Sequence, residues 1–469
     1  MRHPPFPALL ASLSVAACTV GPSYVESSPA VAPGWISAAN PNPIDEDWWR
    51  SFNDPQLVVL VELAVTSNHD VREAEARLRE ARALRDVARG RAGPDAALSG
   101  AATANRVSEN GQLPVANVPG FDPQFSLFDF GFDASWEIDL WGRTRRSIEA
   151  ADARAEAMQE ARRNVILQVI AEVVRSYVDL RGSQTRLLVA RADANAQQAI
   201  ASLVERRFRS GEASRFDFAR ADTQARAASV SLDGIEADAR AAAYRLSLLT
   251  GQAPGATSLR LLSPGSLPVA PSQVTAGLPS ELLRRRPDIR QAERELAAFT
   301  ADVGVATADL FPRLSLIGSI GQQAQSAGDL AAGASTRLQV GPSFHWPIFS
   351  MGRIRAQIRA ADARADAAMI RYERSVTGAL TDSETALNRY AAAQIMRRKA
   401  EGATTQAAAA VDLARQRYQA GEDDLTILLD AQSAYSAAER ASLDARVGEL
   451  MAVVALYKAL GGGWEAAVS

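Results

Sequence analysis

The sequence predicts a mainly α-helical chain with a smaller β part, built as two copies of one unit. Three observations predict it. Ala150 to Ala157 reads AADARAEA and Ala360 to Ala367 reads AADARADA, 210 residues apart. At that offset Gly142-Arg143 recurs as Gly352-Arg353, Arg207-Phe208 as Arg417-Tyr418, Gly211-Glu212 as Gly421-Glu422 and Gly251 as Gly461. Two segments alternate apolar and polar at period two, and two others run from Arg143 to Arg209 and from Arg353 to Ala420 without a proline. A repeat this long exceeds any solenoid unit and implies two equivalent halves around a common axis or surface. Such symmetry suits a pore or a scaffold better than a single catalytic cleft.

The ends and the composition set the bounds. Residues 1–17 carry a basic start and a short apolar run, which reads as an export signal. The one cysteine, Cys18, follows Val15-Ala16-Ala17, so a disulfide within the chain and a multi-cysteine metal site are both excluded. Val-Ala-Ala-Cys resembles a bacterial lipobox, which makes Cys18 the expected lipidation site; the alternative is an ordinary signal peptide with an incidental cysteine. The chain is Ala-rich with 22% charged and 6% aromatic residues, the profile of long helices. Its net charge of -3 has both signs dispersed, so no basic face for nucleic acid stands out. No apolar run of 18 residues occurs beyond the signal, so any membrane crossing falls to strands.

The elements follow in order. Residues 18–55 read as a lipidated N-terminal tether. A first structural repeat, 56–250, holds a helix from Gln56 to about Gly90, a β-hairpin over 97–140 and a long helical hairpin over 142–250. A linker over 251–280 leads to the second repeat, 281–460, with a helix, a β-hairpin over 313–349 and a helical hairpin over 352–460; a tail, 461–469, follows. In the first hairpin Phe128, Phe130, Phe132, Ala134, Trp136, Ile138 and Leu140 alternate with Asp129, Gly131, Asp133, Ser135, Glu137 and Asp139. In the second, Leu338, Val340, Pro342, Phe344, Trp346 and Ile348 alternate with polar or small residues. Strands with one apolar and one polar face match a barrel wall between lipid and water; a soluble sheet packed on a helix would alternate too, with fewer aromatics.

Four strands cannot close a barrel, since about eight are needed. The chain must therefore oligomerise to leave no open edge in lipid, and three copies would give twelve strands. Each long helix would span roughly 100 Å at 1.5 Å per residue. Gly211 and Gly421 suit left-handed C-caps, so they mark the hairpin tips. Ser214 and Asp217 have capping-box spacing, and Asp423 or Asp424 can cap the copy.

Several motifs coincide with a known family. The lipobox followed by Thr-Val-Gly-Pro-Ser-Tyr, Asp47-Trp48-Trp49, Leu283-Arg-Arg-Arg-Pro-Asp-Ile-Arg290, Arg417-Tyr418-Gln-Ala-Gly421, Leu428-Leu-Asp-Ala-Gln432 and Leu456-Tyr-Lys-Ala-Leu-Gly-Gly-Gly-Trp464 resemble the TolC-like outer-membrane efflux proteins. More narrowly they resemble the lipoprotein branch that serves resistance-nodulation-division pumps, including the OprM and NodT groups. The resemblance covers essentially the whole chain. It implies a homotrimer with a twelve-stranded barrel in outer-membrane lipid, continuous with a periplasmic α-barrel. The tip of that α-barrel would meet a periplasmic adaptor protein joined to an inner-membrane pump.

The resemblance also implies roles at the tips. Asp217, Tyr418 and Asp430 match gate positions, with Tyr418 able to hydrogen-bond to the Asp217 carboxylate and three copies of Asp430 narrowing the entrance. Arg207, Phe208, Gly211, Arg417, Tyr418, Gly421 and Leu425 match the adaptor-contact region. One gate partner departs from the pattern: Asp423 stands where the best-known member of the family has a gate arginine, two residues after the glycine. The plain alternative is that these are solvated helix-end charges.

The expected function is a passive exit duct for drugs or small molecules, with no cofactor, metal or catalytic residue singled out. The alternatives are the outer-membrane channel of type I protein secretion, and a lipid-anchored structural coiled coil without a pore. Tyr24, Trp48 and Trp49 are expected to pack the tether against the barrel.

Overall fold

The computed structural model describes residues 19–26, 29, 31–108, 122–271 and 273–466. Cys18 and most of the first β-hairpin loop lie outside them. The chain divides into two compact units: one combines the described residues within Met1–Ser27, Arg79–Ala157 and Glu293–Arg371, the other those within Ser28–Leu78, Met158–Ala292 and Tyr372–Ser469. The helices in order are α1 (Pro55–Ser67), α2 (His69–Gly90), α3 (Arg143–Arg209), α4 (Arg215–Ser229), α5 (Leu232–Leu249), α6 (Ala256–Leu261), α7 (Leu282–Arg285), α8 (Pro287–Ala308), α9 (Met351–Ala420) and α10 (Leu425–Ala459).

The first unit contains one antiparallel sheet of β1 (Asp95–Arg106), β2 (Gln124–Ile138), β3 (Arg313–Ala324) and β4 (Thr336–His345), in sequence order. The two expected hairpins thus join through β2 and β3, which belong to different halves of the duplication. In every ladder a residue faces one of the same parity: Leu98 pairs with Phe132, Phe132 with Ile320, and Ile320 with Leu338. Even-numbered residues of all four strands therefore share one face. These four side chains are each more than half exposed on it. The odd face carries Ser99, Asp129, Asp133, Gln323 and Arg337.

Both second strands stop earlier than the alternation suggests. β4 ends at His345 because Pro347 has no N–H to donate, and Ile348–Ser350 form a 3₁₀ turn. At the strand ends the indole N–H of Trp136 donates to the Ala92 carbonyl at 2.8 Å, that of Trp141 to Pro312 at 2.8 Å and that of Trp346 to Leu310 at 3.0 Å. The start of the tether packs here. Val20 N–H donates to the Trp141 carbonyl at 3.1 Å, Arg146 donates to Ser23 Oγ at 2.9 Å, and the Tyr24 hydroxyl donates to Glu293 at 2.9 Å.

The second unit is helical, and its core includes Trp48, Leu57, Ile170, Val174, Leu246 and Val453. Trp48 stacks on Tyr457 with centroids 4.9 Å apart and donates to the Gly462 carbonyl at 3.3 Å. Trp48 and Trp49 thus pack into the helical core. The chain before them is bound rather than free. The backbone N–H groups of Ile36 and Ser37 donate to the Glu384 carboxylate at 2.6 and 3.1 Å, and Asn40 bridges to Thr275.

Two expected continuous helices are interrupted. Asn68 ends α1 and caps α2, its Oδ1 accepting from the N–H of Asp70 at 2.8 Å and of Val71 at 3.2 Å. A side chain competing with the backbone breaks what apolar spacing alone reads as one helix. The first return arm breaks at Val230-Ser231, where Val230 N–H bonds back to Ala227, whereas its copy α10 is unbroken. The duplication persists in contacts: the Asn68 amide donates to the Leu249 carbonyl at 2.8 Å, and Arg286 donates to Ala459 at 2.9 Å. Leu249 and Ala459 are equivalent positions ending the two return arms.

Candidate functional site

The two helical turns are built alike. Gly211 N–H donates to the Phe208 carbonyl at 3.1 Å and Glu212 N–H to Arg207 at 2.8 Å; Gly421 donates to Tyr418 at 3.2 Å and Glu422 to Arg417 at 3.0 Å. These paired bonds form a Schellman motif at each tip, closed by a glycine at φ +82° and +77°. A Cβ on either would meet no atom within 4 Å. Backbone conformation, not space, therefore demands glycine. Each turn also carries an ion pair, Arg207 to Glu212 at 3.5 Å and Arg417 to Glu422 at 3.6 Å.

The helices that leave the turns differ. Ser214 and Asp217 form a reciprocal capping box, with Asp217 N–H donating to Ser214 Oγ at 3.1 Å and the Ser214 hydroxyl donating to the Asp217 carboxylate at 2.7 Å. Asp424 occupies the N-cap of α10 without a side-chain capping bond, and Asp423 instead pairs with Arg417 at 3.0 Å.

A small apolar core holds the two tips together. Val204, Ala221, Tyr418, Leu425 and Leu428 are buried in it. The Arg207 guanidinium lies 4.8 Å above the Tyr418 ring and donates to the Tyr418 carbonyl at 3.0 Å. Tyr418 thus partners Arg207, while the Asp217 carboxylate is engaged by Ser214. Leu425 is also interior, so its role in the chain is packing beneath the turn. Phe208 stacks on Phe218 with centroids 5.8 Å apart and remains 38% exposed, so it presents an apolar edge to solvent.

Asp430 has a partner that sequence reasoning missed. Arg220 on α4 places Nη2 3.9 Å from Asp430 and donates through Nη1 to Thr426 Oγ1 at 2.9 Å. The signal was present, because Arg220 and Asp430 are 210 residues apart and so occupy the same position in the two copies. Among the described residues no helix is long and apolar enough to cross a membrane, and no cluster of His, Cys, Asp and Glu has the makings of a metal site.

A model of the outer membrane efflux protein family matches residues 60–252 and 278–462, one stretch in each half. The chain belongs to the outer membrane efflux protein family. This efflux protein is 33% identical over 475 residues to outer membrane protein OprJ of Pseudomonas aeruginosa, covering 99% of this chain and 97% of the relative. It is 31% identical over 458 residues to the pyoverdine export outer membrane protein OpmQ of Pseudomonas aeruginosa, with 97% and 96% covered. The solved outer-membrane channel OprN matches with a TM-score of 0.87 at 38% identity, covering 96% of this chain and 100% of that one. The outer-membrane channel CmeC of Campylobacter jejuni, at 22% identity and a TM-score of 0.88, shares the fold. This efflux protein is the outer-membrane channel component of a tripartite efflux system, with long helical hairpins that extend into the periplasm.

Proposed function

We propose that three copies of the chain close a twelve-stranded barrel and form a passive exit duct for small molecules, fed by a resistance-nodulation-division pump through a periplasmic adaptor. The observation that carries this reading is the four-stranded sheet with an apolar even face and a polar odd face. Among the described residues its outer strands β1 and β4 have no neighbour on one side, and a strand edge is not tolerated in lipid.

Asp217, Tyr418 and Asp430 form the closed entrance in this reading, with Arg220 standing in for the arginine that Asp423 replaces. Arg207, Phe208, Gly211, Arg417 and Gly421 meet the adaptor at the turn surface, while Tyr418 and Leu425 support them from beneath. Cys18 carries the lipid anchor, supported by the Val-Ala-Ala-Cys sequence. Acyl chains contribute about 0.8 kcal/mol per buried CH₂. The cargo differs among relatives, one named for pyoverdine export and another for toluene efflux, so a small molecule is the class this reading assigns.

The experiment is the oligomer mass of the purified protein, followed by single-channel conductance in a planar bilayer. A trimer with discrete conductance steps is expected. A monomer that never conducts would remove the duct. Labelled palmitate incorporated by the natural chain and not by Cys18→Ser tests the anchor.

A further inference from the structure

The polar face of the sheet holds an ordered charge arrangement. Arg337 on β4 stands opposite Gly321 on β3, Gly321 opposite Gly131 on β2, and Gly131 opposite Ser99 on β1. The two glycines leave the middle of that row bare. The Arg337 side chain crosses it and reaches β2, where Nη2 and Nε bind the two Asp129 oxygens at 2.8 and 3.0 Å. Its Nη1 lies 3.9 Å from Asp133, so the guanidinium sits between the carboxylates that flank Gly131. Gln323 donates to Asp129 at 2.8 Å and Ser99 to Asp133 at 2.6 Å, fixing both. A two-pronged pair of this kind adds geometric specificity to the attraction of the charges.

The rest of the face lacks a second cation at this level. Its charges are Asp95, Asp129, Asp133 and Glu137 against Arg313 and Arg337, and Arg313 is bound at the start of β3 to Asp309 at 2.6 Å. We propose that Arg337 is the specificity-determining residue of the duct wall: lying across the Gly131–Gly321 pair, it offsets one of the two negative charges of Asp129 and Asp133 and so eases the passage of anionic solutes at that level. The inference rests on the reading of the polar face as a water-filled lumen. A merely structural role, pinning β4 to β2, would use the same bonds but would not set the field.

The test reads that field without needing an open entrance. A reporter thiol is introduced by Gln339→Cys, two residues along β4 on the same face and about 7 Å from Arg337. The protein in lipid vesicles is then treated with a cationic trimethylammonioethyl and an anionic sulfonatoethyl methanethiosulfonate. The parent chain, whose one cysteine is Cys18, serves as background. Adding Arg337→Gln should raise the cation-to-anion rate ratio about threefold or more, as expected for one charge at that distance in screened water. Arg337→Lys should hold the ratio near the parent value, and Asp129→Asn should lower it, which keeps the inference testable if Arg337→Gln fails to assemble. An unchanged ratio with Arg337→Gln or Asp129→Asn in a reactive channel overturns the inference. So does a rise with Arg337→Lys equal to that with Arg337→Gln. A thiol that reacts with neither reagent brings down the lumen reading itself.

Discussion

Arg220 and Asp430 occupy the same position in the two copies of the duplication, carry opposite charges, and face each other at 3.9 Å across the paired tips. Duplication of one helical hairpin followed by a change of sign at one site turns a self-similar contact into an attractive one. Arg220 also donates to Thr426 on the helix that carries Asp430, so it bridges α4 and α10.

Conductance should respond to either member of this pair. An exposed pair contributes about 0.5 kcal/mol, and three copies in a trimer amount to roughly a tenfold change in open fraction. Arg220→Ala and Asp430→Ala are each expected to raise bilayer conductance about that much, and the double substitution no further. Independent, additive rises would show that the pair does not act as a unit.

Gly131→Ala should impair assembly of the sheet. An added Cβ would lie 2.6 Å from the Ile320 carbonyl oxygen and 2.7 Å from Gly321 Cα, both backbone atoms with no side-chain freedom to yield. Overpacking of this kind costs about 1–3 kcal/mol. Gly341→Ala, whose Cβ would meet nothing within 4 Å, should be neutral. The fraction of chain recovered as a heat-sensitive oligomer on gels distinguishes them.

Asn68→Ala removes the cap of α2 and leaves the Leu249 carbonyl without its side-chain donor. Loss of a cap costs about 1–2 kcal/mol. The helical circular-dichroism signal should melt earlier in the variant. An unchanged midpoint would mean that water replaces all three bonds.

Two buried tyrosines predict the alkaline limit. Burial, aided by its hydrogen bond to Asp54, pushes Tyr177 up to about 12, and burial beside Asp45 does the same for Tyr457. Because the folded values lie above an unfolded value of about 10, their contribution to stability is whole below pH 10. It is lost as the pH rises through 12. Ultraviolet tyrosinate absorbance should rise in two stages, the later one coinciding with loss of helix. A single stage complete by pH 11 would contradict the burial of both rings.

The extent of each feature legible in the sequence follows from how local its cause is. The unbroken run from Arg143 to Arg209 and the alternation from Phe128 to Ile138 were visible because helix and strand periodicities are properties of neighbouring residues. The turns at Gly211 and Gly421 were visible because a left-handed cap nearly demands glycine. Asn68 was read through, since an apolar period does not register a side chain that takes over the backbone's own hydrogen bonds. The 210-residue offset that exposes the duplication also contained the Arg220–Asp430 pair, but only the folded tips bring those two charges to one place.

The sequence alone therefore determined the two-fold plan, the long hairpins, the two-faced strands and the family. Tertiary structure decided that β2 pairs with β3, that Trp48 serves the helical core, that Tyr418 lies under Arg207, and that Arg337 reaches Asp129 across two glycines. Periodicity records which way each side chain points along its own element. It carries no information about which distant element arrives opposite, because that choice is made by register, packing volume and charge between residues hundreds of positions apart.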